Sequence, residues 1–306
     1  MSRPALARRA VLTEIADAQD GVVTRRQLAE LGYNRDAVRA QIAARRWQPA
    51  GPRVIVLHNG PLTVAQGRWS AVLSQHNSAL AGLTAAAEQG LTGFDDDAVH
   101  LLVPFGTRIA ASDGVRIHVS RRFSTDDIHP ARRIPTVRLE RALVDGASWT
   151  PWPRKACAVL AAGVQQRLTT AERLRPELAV ASRAKHHGLL SQVVGDIEGG
   201  ADSFGEIDLG RLARQAGIPP PRRQVFRLDK AGRRRWLDAD FDGFSVEVDG
   251  AVHLKPLSYW DDMERQNDLI IVTGKPMLRF ATVAFRLLPL IVIGQLAGAH
   301  ERFGKP

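Results

Sequence analysis

The sequence predicts a mixed α+β chain in three segments, and three observations carry that prediction. Residues 5–60 read as three helices followed by a β-rich run. Residues 61–198 alternate helical patterns with two short strand patterns. Residues 203–300 follow the order α-β-β-β-α-β-α. Helical spacing and period-two alternation separate the two element types.

In the first segment, Leu6, Ala10, Val11, Ile15 and Ala18 fall on one face of a helix that Gly21 ends. Thr24 is an N-cap for a short helix, Arg25–Leu31. Gly32-Tyr33 makes a turn, and Asn34 caps a third helix, Arg35–Arg45. Trp47 then leads into the β-rich Val54–Leu57. Three helices and a β element in this order describe a winged helix-turn-helix over residues 1–60. In that arrangement Val38 and Ile42 face the core, and Trp47 packs behind the wing. Asn34, Arg35, Arg39 and Arg45 are the polar residues of the helix that enters the major groove, where Arg can pair bidentately with guanine. Arg25, Arg26, Arg46 and Arg53 would neutralise phosphates.

The middle region, 61–198, contains two helices over 66–93 and strands at Val99–Pro104 and Val115–Val119. Helical patterns return over 136–148 and 154–198, with Thr169-Thr170 as a cap. The Gly-rich stretch Glu198–Asp202 is the best linker.

The third segment opens with a helix, Phe204–Ala216, stopped by Gly217 and the prolines at 219–221. Strands are expected at Gln224–Leu228, Arg235–Phe241 and Phe244–Asp249, then a helix over Asp261–Thr273, a strand Pro276–Phe280 and a final helix from about residue 283. Asp242-Gly243 is the preferred pair for a two-residue hairpin turn. Such a turn sets Asp240 against Ser245 and Asp238 against Glu247, with Cβ atoms roughly 5 Å apart. Asp249 points the same way as Glu247. Paired carboxylates repel unless a cation joins them, and carboxylate oxygens suit Mg²⁺. Asp240 reads as a solvated bystander.

Composition narrows the function classes. The chain of 306 residues has a formal net charge of +10 and a pI near 10.6, a balance that suits a polyanionic partner such as DNA. The cations are nearly all Arg (the first lysine is Lys155), a bias that also fits a GC-rich genome. Apolar runs fall short of the ~18 residues of a membrane span. The N-terminus lacks the apolar core of a signal peptide, and the single cysteine, Cys157, has no internal disulfide partner. The expected location is therefore the cytoplasm, with no membrane partner.

Two resemblances sharpen these expectations. Arg235-Trp-Leu-Asp238 and Val246-Glu-Val-Asp-Gly250-Ala-Val-His253 resemble the core of the PD-(D/E)XK nuclease superfamily, and more closely its very-short-patch-repair-like and DUF559 branch. Ser203-Phe-Gly-Glu206, Pro219 to Gln224, Asp262-Met-Glu-Arg265-Gln-Asn267 and Leu278-Arg-Phe280 fit the same branch, over residues 203–300. The resemblance implies a restriction-endonuclease-like core. It implies that Asp238 and Glu247 bind the metal (Mg²⁺, with Mn²⁺ as substitute), and that Glu206 helps orient metal or water. The lysine usual two residues beyond the acidic position is Asp249 here. His253 is then the candidate base, and Lys255 the candidate for the lost cation. Glu206, Asp238, Glu247, Asp249 and His253 thus form the expected catalytic set.

The N-terminal half resembles the winged-helix domain of AbiEi-type antitoxins from type IV toxin–antitoxin systems. The matching pieces are Gly21-Val-Val-Thr24-Arg-Arg-Gln-Leu28, Gly32, Val38, Trp47, Arg53-Val-Ile-Val56, Ala79 to Ala86, and Val137 to Asp145. Two functions follow as expectations. One is a DNA-binding, Mg²⁺-dependent endonuclease. The other is an antitoxin or transcriptional regulator whose nuclease fold is catalytically degenerate, with a cognate toxin or a second copy of the chain as partner.

Overall fold

In the computed structural model, the described residues are 3–110, 113–199, 209–228, 234–249, 267, 270–271, 273–281, 284–287 and 289–304. The protein is mixed α+β, and the chain divides into two compact units, Met1–Gly146 and Ala147–Pro306. Among the described residues, no helix is long and apolar enough to cross a membrane.

The first unit begins with α1 (Arg3–Ala18), β1 (Val22–Thr24), α2 (Arg25–Glu30), α3 (Arg35–Ala43), β2 (Gln48–Pro49) and β3 (Val54–Val56). The strands form an antiparallel sheet of order β1-β3-β2, with Val22 and Gln48 both paired to Val56. Both expected caps form. Thr24 Oγ1 accepts from Gln27 N at 3.0 Å while the Gln27 side chain accepts from Thr24 N at 2.7 Å, a reciprocal capping box. Asn34 Oδ1 accepts from Ala37 N at 2.8 Å. Leu12, Val23, Leu28, Val38 and Ile55 make the core, with Ile42 and Trp47 packed against it. The expected apolar face of α1 holds only in part, since Ala10, Val11 and Ala18 are exposed. Val11 is 41% exposed and Leu12 only 7%. These neighbours lie ~100° apart round a helix, and packing buries the larger side chain.

Next come α4 (Val64–Ser74), β4 (Ala79–Leu80), α5 (Gly82–Glu88), β5 (Val99–Pro104), β6 (Val115–Ser120) and the start of α6 (Leu139–Trp149). Their sheet runs β4-β5-β6, with β4–β5 antiparallel and β5–β6 parallel. The sequence pattern places residues 79 and 80 in a helical stretch, and the structure corrects this. A two-residue strand is too short to show a period. Its identity is set by distant backbone partners: Leu80 N donates to Pro135 O at 2.8 Å, and Ala81 N to His100 O at 2.9 Å. Leu101, Leu102 and Val103 are all buried, so β5 is covered on both faces.

In the second unit, α7 (Pro153–Gln165), α8 (Ala171–Val180) and α9 (His187–Gly199) occupy the expected helical stretch. Thr170 takes the N-cap position of α8, though its side chain makes no capping bond. Cys157 is buried, which pushes its thiol up to about 11 and keeps it protonated. Helical residues 209–215 lead to β7 (Arg222–Leu228), β8 (Arg234–Asp240) and β9 (Ser245–Asp249). Asn267, Ile270, Ile271 and Thr273 are helical, β10 is Met277–Ala281, and helices Ala284–Leu287 and Pro289–Phe303 finish the chain. The sheet order is β10-β9-β8-β7, with only the β9–β10 pair parallel. This matches the α-β-β-β-α-β-α order read from the sequence.

The two-residue turn at Asp242-Gly243 also forms. Phe241 N donates to Phe244 O at 2.9 Å, and the two rings stack with centroids 4.6 Å apart. Gly243 has φ +93°, and a Cβ there would run into the Phe303 carbonyl. Glycine is thus required for both conformation and space. Ala239, Phe241, Phe244, Val246 and Phe280 face a core completed by Leu212, Phe285, Val292 and Leu296.

Candidate functional site

Two surfaces hold the residues singled out by the sequence. The first is α3. Val38 anchors it in the core, Arg35 and Arg39 are exposed beside that anchor, and Arg45 and Arg46 lie just beyond its C-terminus. These cations meet only light local restraint. Arg39 Nη1 is 3.5 Å from Asp36 Oδ1, with both side chains more than two-thirds exposed. Arg46 Nε donates to Gln41 Oε1 at 2.6 Å. Asn34 Oδ1 caps α3 as expected, and its amide nitrogen points away from that bond as the remaining donor. Arg25 and Arg53 turn toward the backbone. Arg25 Nε donates to Pro52 O at 3.0 Å, and Arg53 Nη1 to Ser74 O at 3.3 Å. Arg26 pairs with Glu30 at 2.8 Å on the exposed side of α2.

The second surface is the polar face of β8 and β9. Alternation puts Ala239, Phe241, Phe244 and Val246 into the core, so Asp240, Ser245 and Glu247 emerge on the other face. The observed register pairs Asp240 with Ser245 and Ala239 with Val246. Asp238 and Glu247 are the next positions outward on each strand. The strand positions of Asp238 and Asp249 are described, but their side chains lie outside the described residues. Glu206, Gln224 (beyond its backbone in β7), His253 and Lys255 likewise lie outside them. Among the described residues no group of three or more acidic, His or Cys side chains is placed to hold a metal.

Asp240 departs most from its expected role. It is 1% exposed, not solvated. Lys275 Nζ lies 3.1 Å from its Oδ1 and Arg222 Nη2 3.1 Å from its Oδ2, while Ser245 Oγ is 3.4 Å away. Lys275 also donates to Phe241 O at 3.2 Å. A buried carboxylate needs such partners, since desolvation otherwise costs several kcal/mol. Asp240 is therefore already neutralised by protein cations and is withdrawn from any metal-binding set. A third cation enters through the parallel pairing: Arg279 on β10 is the register partner of Glu247. It shares the polar face, since its neighbours Leu278 and Phe280 pair with the core residues Val246 and Val248.

Lys275, Arg222 and Arg279 are not singled out as site residues by the sequence. The available signal is weak: Lys275 precedes β10 and Arg279 lies within it, and the partner of that strand is set by a parallel crossover. A further buried polar group is also invisible there. His100 Nδ1 and His118 Nε2 share a hydrogen bond of 3.0 Å, and His100 Nε2 lies 3.2 Å from Asp96 Oδ2. Burial first, then the neighbouring His100 and Arg116, hold His118 down to about 4. Burial would raise the Asp96 carboxyl, but the Ala98 amide, His100 and Arg116 outweigh it and hold the carboxyl below its ordinary value.

No family model matches the chain, and no curated protein sequence does. Among solved structures, it is similar to the crystal structure of the RV2827C protein from Mycobacterium tuberculosis. The identity is 19% and the TM-score 0.39, over 60% of this chain and 76% of that chain.

Proposed function

We propose that this is a cytoplasmic DNA-binding protein that docks duplex DNA on α3 and hydrolyses phosphodiester bonds at the polar face of β8 and β9. The DNA-binding part is supported by a core-anchored helix whose outer face and C-terminal end carry Arg35, Arg39, Arg45 and Arg46. The hydrolytic part is supported by one observation, the Asp240–Ser245 register. Continued two residues outward, that register sets Asp238 against Glu247, the pair that would hold Mg²⁺ or Mn²⁺. Such an ion supplies Lewis-acid stabilisation of the phosphoryl oxygens and a more acidic water. Glu206, Asp249 and His253 complete the proposed set through the resemblance to very-short-patch-repair-like nucleases.

The test is cleavage of duplex, nicked, mismatched and single-stranded DNA with Mg²⁺ or Mn²⁺. Asp238→Asn and Glu247→Gln are expected to abolish cutting while leaving duplex affinity unchanged. Wild-type protein that cuts none of these substrates would falsify the hydrolytic part.

A second reading is favoured by a specific observation. Arg279 lies opposite Glu247, and Asp249 stands where a lysine is usual. A guanidinium can balance Glu247 with no divalent ion present. On this reading the chain is an AbiEi-like antitoxin or regulator whose C-terminal sheet binds without cutting, in concert with a toxin or a second copy. Footprinting that protects a promoter, from protein without metal-dependent cleavage, would select it.

A further inference from the structure

We infer that a basic cleft in the first unit takes a single-stranded stretch of nucleic acid, with its phosphates on arginines and a base against Phe105. This deepens the DNA-binding reading above and rests on it. The cleft has a volume of about 870 Å³ and is bounded by the start of α2, the residues before β3, the end of α4 and the turn after β5. Its size is that of a pocket able to enclose a nucleotide-sized group.

Arg25, Arg53 and Arg108 line the cleft beside Arg26, which is paired with Glu30, and no carboxylate appears among the described lining residues. The bonds from Arg25 to Pro52 O and from Arg53 to Ser74 O go to carbonyls. A carbonyl orients a guanidinium without neutralising it. Several cations around one space without an anion raise its potential, and a phosphate relieves that repulsion. None of these arginines belongs to α3.

Phe105 supplies the second half of the argument. It lines the cleft, yet the residue is 63% exposed. Its backbone N–H donates to Ser120 O at 3.0 Å, and the Arg121 guanidinium sits 4.4 Å from its ring centroid. The ring is thus held at the rim rather than folded into the core. A basic groove with an aromatic platform is the physical recipe for single strands, because an unpaired base offers a π face that a stacked duplex does not.

The test uses the full chain and fluorescence anisotropy with two probes, an oligothymidylate of about 10 nucleotides and a duplex. Phe105→Leu is expected to weaken the single strand roughly tenfold and leave the duplex unchanged, while Phe105→Tyr keeps the affinity. The Arg53→Gln, Arg108→Gln double variant is expected to lower the salt slope for the single strand by about 1.4, from two phosphate contacts at about 0.7 each. Arg39→Gln should weaken only the duplex, so loss of the α3 reading and loss of the cleft reading show up on different probes. The proposal is overturned if the oligothymidylate does not bind. It is equally overturned if Phe105→Leu and the double arginine variant both bind as wild type, or if thymidine monophosphate competes as well as the oligomer. Circular dichroism melts matching wild type establish that each variant is folded.

Discussion

α3 and the β8–β9 hairpin both set a polar face on an apolar one, yet they treat charge in opposite ways. Arg39 on α3 and Arg46 just beyond it are exposed and meet partners within five residues along the chain. Asp240 of the hairpin is buried and meets Arg222 from one side and Lys275, 35 positions away, from the other. The difference teaches where function can be changed at little structural cost. Water already solvates the α3 cations, so removing one leaves nothing stranded. Removing Asp240 takes a shared acceptor from Lys275, Arg222 and Ser245 and opens a buried site.

The sharpest way to break the comparison is therefore to mutate both faces and compare stability. Asp240→Ala is expected to cost about 1–3 kcal/mol, and Arg39→Ala to lie within about 0.5 kcal/mol of wild type. Urea titrations of the two variants check this, and equal losses would break the contrast. The same Arg39→Ala should cost about 1–3 kcal/mol of duplex affinity if the side chain reads a base, with relaxed sequence preference. If it meets only phosphate, the loss is uniform across sequences and the salt slope falls by about 0.9.

The α2 cap is a smaller test within the winged helix. Thr24→Ala removes one side of the capping box and is expected to cost about 1 kcal/mol, read as a lower urea midpoint with unchanged slope. The last test is a pH response in β5–β6. His118 is held down to about 4 from an ordinary 6.5, so between these values the unfolded chain binds more protons than the folded one. Stability from this group is fully present above pH 6.5 and declines as pH falls toward 4. Thermal melts across that window should show a shallower decline in His118→Gln than in wild type.

The same contrast explains what is legible in the sequence. Both helix caps, the position of Val38, the Asp-Gly turn and the Asp240–Ser245 register follow from interactions spanning a few residues, and each is readable. The identity of β4 is not, because two residues carry no period and its partners are Pro135 and His100. The fate of Asp240 is not readable either. Alternation puts it on the polar face correctly, and polar faces of hairpins are usually wet. It is dry because Lys275 and Arg222 come over it, and neither pairing is written in local spacing. Arg279 stays hidden for the same reason: parallel register depends on a crossover whose length does not fix which residues meet. The choice of Leu12 over Val11 in α1 is decided by tertiary packing, which turns the buried face ~100° from Val11.

The link between Asp240 and Lys275 also bears on the order in which the chain folds. A hairpin closed by Asp-Gly forms within ~1–10 μs, whereas a parallel partner must wait for its long connection to close. Lys275 lies just before β10, so Asp240 meets only Arg222 of β7 until that slower pairing brings its second counter-charge. Until then the carboxylate opposes its own burial, and the hairpin has reason to stay wet. Dehydration of the turn, docking of β10 and placement of Arg279 beside Glu247 become one cooperative event. Whatever chemistry the polar face performs belongs only to molecules that have completed it.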